Sequence, residues 1–357
     1  MTRRRLLADT GGLIATIALC LPRGMEHRPL LAAHRSLLSQ LPSEIAVTIA
    51  TSPEHPADVA RWLDHHHAGP HAVVVANGKL DDHAIWMQDP LLVATKGRRR
   101  IYLSVRSEYP CDAAGWFASA DGAAVDRSPL HLSGGNSLVG GDFHIVGADA
   151  ILKHAGRHTP AAILRVTDRH RALDPRRMHI YGYGATPVAG MPWAQEPFHL
   201  DLALALTGCR TIRSQPIVLL ARPPGVSAEL DAVAARLLAD GFHVLRVHVP
   251  MLGNSLYGYN NVLVETAVRP GEPRPLVFVP RYGDRRRSLI RYDRYVEGLW
   301  TGLGFTPRWV TGWGPFVFAG GAVRCAAKVL SRRAISTPER TIPDRTLARL
   351  ARLTPRD

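Results

Sequence analysis

Short apolar runs alternate with amphipathic segments along the chain. An apolar run at residues 14–21 is followed by a helical pattern at about 29–41 and by a second run at 45–50. Apolar residues spaced three and four apart predict a helix, and short apolar runs between turn residues predict strands. The N-terminal region is therefore predicted to form a β-α-β unit.

The same order recurs twice further along the chain. Strands are predicted at residues 216–221 and 242–249, and the helix between them is expected to end at Gly241. Five apolar residues of that helix share one predicted face: Leu230, Val233, Ala234, Leu237 and Leu238. A third unit has strands at 275–280 and near 308–311, with a helix that ends at Gly304. The repetition predicts an α/β fold built from similar units around one core.

The region between these units predicts further elements of the same kind. Residues 136–147 form a predicted hairpin that turns at Gly140 and Gly141, followed by a helix at 161–171 and a strand at 178–183. No low-complexity linker divides the chain. We therefore predict one domain over residues 1–357, with a core at about 12–335 and a basic C-terminal tail at 336–357.

The N terminus has a second interpretation. The sequence TRRRLL at residues 2–7, followed by an apolar run, resembles a twin-arginine export signal. However, no AxA-like cleavage site follows the run. The run also matches the first strand of a β-α-β unit. We therefore predict a core strand and a cytoplasmic protein.

Charge and cysteine content narrow the possible functions. The formal charge of +14 suits a polyanion or membrane surface, but the arginines that carry most of it are scattered along the chain. We interpret them mainly as an arginine-rich coding bias and expect neither a nucleic-acid nor a membrane partner. The four cysteines are widely spaced and include no CxxC pair, which argues against a disulfide framework or a zinc knuckle.

Four local motifs carry candidate chemistry: WMQD at residues 86–89, GGN at 134–136, HLD at 199–201 and GGAVRC at 320–325. The HLD spacing places His199 and Asp201 on the same side of a strand, because side chains alternate, so both can face one pocket. Each motif also has a plain structural interpretation. Asp89 is predicted to end an apolar strand, and a carboxylate in that position is usually a turn residue; a free cysteine is often a small buried hydrophobe.

Taken together and in this order, the motifs resemble the guanidino-group-modifying enzymes with the pentein fold. This superfamily includes agmatine, arginine and peptidyl-arginine deiminases and the amidinotransferases. The resemblance extends from Trp86 to Cys325 and includes FHLD at 198–201, GYNNVLVE at 258–265 and VFVPRYG at 277–283. It implies an α/β propeller of five ββαβ units around a pseudo-fivefold axis.

The resemblance also implies residue roles. Asp89 and Asp201 would bind the planar guanidinium, the thiolate of Cys325 would attack its carbon, and His199 would transfer protons. The same resemblance places five residues around the substrate: Trp86, Gln88, Asn136, Gly320 and Gly321. Trp86 would form an aromatic wall beside the cation. No metal or organic cofactor is expected.

Two positions depart from the family pattern. Ala327 stands where family members usually carry a hydroxyl residue. Several branches carry a histidine immediately before the cysteine, whereas this chain has Arg324, which resembles the arginine deiminases. The leading hypothesis is a deiminase that converts a small-molecule or peptidyl guanidino group to a ureido product and ammonia. One alternative is an amidinotransferase that uses the same covalent intermediate. Another is a non-catalytic pentein protein with a polyanion-binding face.

Overall fold

The structure of the chain is a computed structural model that describes residues 4–76, 80, 82–97, 99–107, 111–156, 159–182, 199–224, 227–335 and 339–355. The chain divides into two compact units. Unit 1 comprises Met1–Ala8, Ile14–Leu200 and Cys325–Arg332, and unit 2 comprises Asp9–Leu13, Asp201–Arg324 and Arg333–Asp357. The single domain predicted over residues 1–357 stays a prediction.

Strands and helices alternate through most of the described chain. Up to residue 182 the elements are β1 (Arg5–Leu6), β2 (Leu13–Leu21), α1 (Arg28–Gln40), β3 (Ala46–Thr51), α2 (Pro56–His66), β4 (His71–Val75), β5 (Leu91–Lys96), β6 (Arg99–Arg106), α3 (Ala113–Asp121), β7 (Ala124–His131), β8 (Ser137–Val139), β9 (Phe143–Gly147), α4 (Ala148–Ala155), α5 (Pro160–Arg171) and β10 (Arg177–Tyr181). From residue 199 they are α6 (Leu200–Ala203), β11 (Leu204–Thr211), β12 (Pro216–Arg222), α7 (Ser227–Ala239), β13 (His243–His248), β14 (Met251–Leu252), β15 (Ser255–Leu256), β16 (Leu263–Val264), β17 (Leu276–Pro280), α8 (Ile290–Gly302), β18 (Thr306–Val310), α9 (Val323–Ala326), β19 (Lys328–Arg333), β20 (Arg340–Ile342) and α10 (Asp344–Leu350).

The predicted β-α-β units are present. Helix α1 connects the parallel strands β2 and β3, helix α7 connects β12 and β13, and helix α8 connects β17 and β18. Parallel strands need a crossover connection, which each helix supplies. The predicted hairpin is formed by β8 and β9, and its turn is closed by the Gly140 amide donating to the Phe143 carbonyl at 2.9 Å.

Several of the parallel strand pairs are preceded by a strand that lies antiparallel to their first strand. This holds for β5 before β6, β8 before β9, β11 before β12, and β16 before β17. The order strand, strand, helix, strand is therefore the recurring motif of a mixed α/β fold. The arrangement of five such units around a pseudo-fivefold axis stays a prediction.

Strand β2 lies between β19 and β3 in the four-stranded sheet β19-β2-β3-β4. Residues 17–21 of this strand are completely buried. The apolar run that resembles an export signal is thus an internal strand, as predicted. No helix among the described residues is long and apolar enough to cross a membrane. The cytoplasmic location stays a prediction.

Two predicted helix ends are confirmed, and one residue of a predicted buried helix face is exposed. Gly241 and Gly304 end their helices with φ values of +92° and +84°, in the left-handed region that glycine adopts without a Cβ clash. The predicted buried face of α7 is wrong at Leu238, which is 54% exposed, because the helix turns this position away from β12 and β13.

The predicted basic tail contains regular structure. Strand β20 pairs in parallel with β11, with Ile342 opposite Thr211. Helix α10 follows, and its Leu347 and Leu350 are buried. The prediction rested on the positive charge of this segment. It overlooked that Leu347 and Leu350 lie three positions apart, the spacing of residues on one helix face.

Candidate active site

Asp89 lies between a short 3₁₀ turn, Asp82–Ile85, and strand β5. The sequence suggests that this carboxylate ends an apolar strand, and that interpretation is wrong: it precedes one. Its side chain is buried, and its Oδ1 accepts a hydrogen bond of 3.0 Å from the amide of Gly135. The amide of Gly134 donates to its backbone carbonyl at 3.3 Å. The GGN motif therefore holds Asp89 at two points, once at its carboxylate and once at its backbone carbonyl.

His199 lies beside Asp89 in unit 1. Its Nδ1 is 3.4 Å from Asp89 Oδ1, and its side chain is 14% exposed. This separation exceeds an ordinary hydrogen bond but lies within ion-pair distance if the ring is protonated. A Cβ atom added to Gly135 would lie 2.5 Å from Nδ1. A glycine is therefore needed for the ring to reach this position.

Asn136 and Gln88 complete the backbone contacts around this pair. Asn136 Oδ1 accepts a 3.1 Å hydrogen bond from the amide of Leu200, the residue after His199. Gln88 Nε2 donates to the Gly134 carbonyl at 3.1 Å. Both side chains are buried. In this structure both bind protein backbone, and their predicted contacts with substrate stay predictions.

Cys325 belongs to the short helix α9 and is 4% exposed. Its carbonyl accepts a 3.0 Å hydrogen bond from the amide of Gln88. Residues separated by more than two hundred positions in the sequence thus meet in unit 1: Gln88 and Asp89, the GGN motif, His199 and the backbone of Cys325. Trp86, predicted as an aromatic wall, is buried.

Asp201 is placed differently from the prediction. The HLD motif was expected on a strand, but Leu200–Ala203 form a helical turn before β11, so the alternation argument does not apply. Phe198, the first residue of FHLD, lies outside the described residues. Asp201 is completely buried in unit 2, where Arg324 Nη1 donates to its Oδ2 at 2.6 Å. The carboxylate that was expected to bind a substrate guanidinium binds a guanidinium of the chain itself.

Arg324 has a second carboxylate partner in the same unit. Its Nη2 donates to Asp9 Oδ1 at 2.8 Å, and Arg324 is buried. Burial disfavours the guanidinium charge, but Asp9 and Asp201 outweigh that cost and raise the pKa of Arg324 above its ordinary value. Arg324 therefore stays charged. Nothing in the sequence near Asp9 indicates this contact.

The loop that contains Tyr259, Asn260 and Asn261 supports Asp201 from unit 2. Asn261 Nδ2 donates to the Asp201 carbonyl, and the Arg324 amide donates to the Asn261 carbonyl, both at 3.4 Å. Asn260 Nδ2 donates to the Ala203 carbonyl at 2.7 Å. These side-chain amides satisfy carbonyls at the end of a short helical turn. The GYNN motif therefore has a structural role that the resemblance alone did not reveal.

Gly320 and Gly321 lie in unit 2 before helix α9. Gly320 has a φ of +66°, and a Cβ atom added to it would lie 3.9 Å from Leu202 Cδ1. The glycine thus allows a left-handed turn. The predicted contacts of both glycines with substrate stay predictions. No cluster of three or more potential metal ligands occurs among the described residues.

Comparison with known proteins identifies the fold. No family model matches the chain, and no curated protein matches it in sequence. Solved structures do match: an agmatine deiminase of C. jejuni (TM-score 0.63, 13% identity, 92% of this chain and 97% of that chain) and one of Enterococcus faecalis (0.61, 13%, 93% and 96%). A putative arginine deiminase of Porphyromonas gingivalis also matches (0.57, 13%, 91% and 98%).

The chain has the pentein fold of these deiminases. The similarity covers nearly the whole chain, so the resemblance inferred from the motifs is confirmed for the fold. At 13% identity, the pentein fold by itself does not assign an activity.

Proposed function

We propose that the chain is a cysteine-dependent hydrolase that converts a guanidino group to a ureido group and ammonia. The observation that carries the proposal is the meeting of Asp89, His199 and the backbone of Cys325 within unit 1. A carboxylate, an imidazole and a thiol are the groups that covalent hydrolysis of this kind requires. The deiminase neighbours support the same reaction class by analogy of fold.

The proposed chemistry has two stages. The thiolate of Cys325 adds to the guanidinium carbon, and the C–N bond to the leaving nitrogen breaks as His199 gives that nitrogen a proton. Ammonia leaves, and the carbon stays bound to sulfur as a thiouronium. Water then adds to this carbon while His199 accepts its proton. The C–S bond breaks, which restores the thiolate and releases the ureido product.

The position of Asp89 suits a role in both stages. Its Oδ1 lies near His199 Nδ1, so the carboxylate favours the protonated ring that the first stage consumes and the second restores. The Gly135 amide fixes the carboxylate with a hydrogen bond to the same oxygen. The other carboxylate oxygen is proposed to contact the substrate guanidinium, as the resemblance implies.

The role of Asp201 needs a further condition. Its carboxylate holds Arg324, so binding of a substrate guanidinium there requires Arg324 to shift or share the carboxylate. We propose Asp201 as a guanidinium-binding residue on that condition. Agmatine, free arginine and a peptidyl arginine are the substrates to test first.

The test is to incubate the purified protein with agmatine, arginine and an arginine peptide, and to measure ureido product and ammonia without any amine acceptor. Turnover by the wild type that is lost in Cys325→Ala and retained in Cys111→Ala supports the proposal. Product from Cys325→Ala would refute the nucleophile assignment. Product that appears only when an amine is added would instead indicate an amidinotransferase.

A further inference from the structure

One cluster of unit 2 holds two carboxylates around a single buried arginine; the Asp201 side chain is completely buried and that of Asp9 is 25% exposed. Arg324 lies between Asp201 and Asp9, with donor–acceptor distances of 2.6 and 2.8 Å to the two carboxylates. One carboxylate is enough to neutralise one guanidinium. The second carboxylate gives Arg324 an alternative partner. That second carboxylate, Asp9, belongs to none of the sequence motifs.

The position of Asp9 is fixed independently of Arg324. The amide of Gly12 donates to Thr266 Oγ1 at 2.9 Å, and the Thr266 amide donates back to the Gly12 carbonyl at 3.1 Å. Gly12 has a φ of +65°, and a Cβ atom there would overlap the carbonyl of Arg333. The segment Asp9–Leu13 is therefore anchored in unit 2, so Asp9 keeps its place if Arg324 moves.

A buried guanidinium must keep a carboxylate partner at all times. Removing one member of a buried ion pair is strongly destabilising, because the other member is left as an uncompensated buried charge. If Asp201 were the sole partner of Arg324, a substrate cation could take that carboxylate only by leaving Arg324 uncompensated. Asp9 removes this obstacle, because its carboxylate can hold Arg324 while Asp201 turns to the substrate.

We propose that Asp9 is a positioning residue that retains Arg324 and so releases Asp201 for the substrate guanidinium. The inference rests on the proposed function, since it requires Asp201 to bind the substrate. Asp9 itself touches Arg324 and acts on the substrate only through it. Its role is therefore in substrate binding rather than in the chemical step.

The test compares steady-state kinetics of Asp9→Asn and Asp9→Glu with the wild type, on whichever guanidino compound the wild type hydrolyses. The neutral amide should raise KM at least about tenfold with a much smaller change in kcat, because Arg324 then keeps Asp201. The longer carboxylate should restore most of the affinity. Asp231→Asn, which neutralises an exposed carboxylate paired with Arg246, is the matched control and should leave KM unchanged.

A double mutant separates positioning from general damage. In an Arg324→Met background no guanidinium competes for Asp201, so adding Asp9→Asn should no longer raise KM. Equal KM effects in both backgrounds, or a wild-type KM for Asp9→Asn, would overturn the inference. If Arg324→Met does not fold, the two variants at position 9 decide. A requirement for negative charge predicts that Asp9→Asn raises KM and that Asp9→Glu keeps most of the affinity for substrate.

Failure of the proposed function gives a different result. The Cys325→Ala variant should bind ethylguanidinium in a calorimetric titration, and Asp9→Asn in that background should weaken the binding. No binding by Cys325→Ala and no turnover by the wild type would refute the proposed function, and this inference with it. Binding or turnover that is insensitive to position 9 would refute the inference alone.

Discussion

Gly135→Ala is the sharpest test of the His199 position. The added Cβ would lie 2.5 Å from His199 Nδ1 and 2.9 Å from His199 Cβ and Cγ, whereas ordinary contacts begin at 3.4 Å. The imidazole must therefore retreat by nearly 1 Å. Since Gly135 is not among the glycines with positive φ, alanine fits the backbone. All three contacts are with side-chain atoms of His199, so the perturbation falls on this residue, whose Cβ must move together with the ring.

The expected effect is large on catalysis and small on stability. A misplacement of about 1 Å can cost roughly 10²-fold in rate, which corresponds to a barrier increase of about 2.7 kcal/mol. Replacing glycine by alanine also restricts the unfolded chain, which stabilises the fold by about 0.4 to 1 kcal/mol and offsets part of any local strain. We therefore expect kcat/KM to fall about 100-fold while the melting temperature changes little.

The assay is ammonia release under steady-state conditions, together with thermal unfolding of the same preparation. Gly298→Ala is the matched control, because its Cβ would lie 3.7 Å from Leu353 Cδ1, an ordinary contact within unit 2. That variant should keep wild-type activity. Full activity in Gly135→Ala would refute the reasoning. An equally large fall in kcat/KM when Gly135→Ala is added to His199→Ala would also refute the reasoning, because the effect could then not arise from displacement of the imidazole.

Three further perturbations test the structure. Gly134→Ala should prevent stable folding, detectable by circular dichroism, because its Cβ would overlap the backbone carbonyl of Gln88, which cannot swing away as a side chain can. Asp201→Asn should lower the free energy of unfolding in urea by about 1 to 2 kcal/mol, since Arg324 loses one charge-assisted hydrogen bond but keeps Asp9 as a carboxylate partner; a loss above about 3 kcal/mol would contradict that compensation by Asp9. His34 is fully buried, and desolvation, followed by the charge of nearby His27, lowers its pKa from 6.5 to about 3. Between pH 6.5 and about pH 3 the unfolded chain therefore binds one more proton at His34 than the folded chain does. The free energy of unfolding should fall by about 1.4 kcal/mol for each pH unit of acidification in this window, and His34→Leu should remove this contribution.

The repeated β-α-β units could be predicted because their signals are local and redundant. In α1 and α8 the apolar spacing, the flanking strands and the terminal turns agree, and the structure follows them. The HLD motif gave a much weaker signal of its secondary structure. Three residues cannot distinguish a period of 2 from one of 3.6, and the helical turn is stabilised by distant amides of Asn260 and Asn261.

The partners of Asp201 could not be predicted for a related reason. Arg324 is separated from it by 123 positions, and Asp9 is separated from Arg324 by 315. The sequence indicates that Asp201 and Arg324 are each polar inside an otherwise apolar stretch, which marks them as constrained, but it gives no such signal for Asp9. Which charges meet is decided by how distant segments pack, and local periodicity does not contain that information.

The high positive charge of the chain does not oppose binding of a cation at such a site. Several arginines are themselves buried against carboxylates within one unit, as in Arg269 with Glu265 and Arg176 with Asp174, at 2.5 and 2.7 Å. These pairs show that the fold holds guanidinium groups on carboxylates away from water. Exposed charges farther than about 8 to 10 Å are largely screened by salt, whereas a buried carboxylate in contact is not. Affinity for a guanidinium is therefore decided by which internal arginine already occupies a carboxylate, and at Asp201 that residue is Arg324.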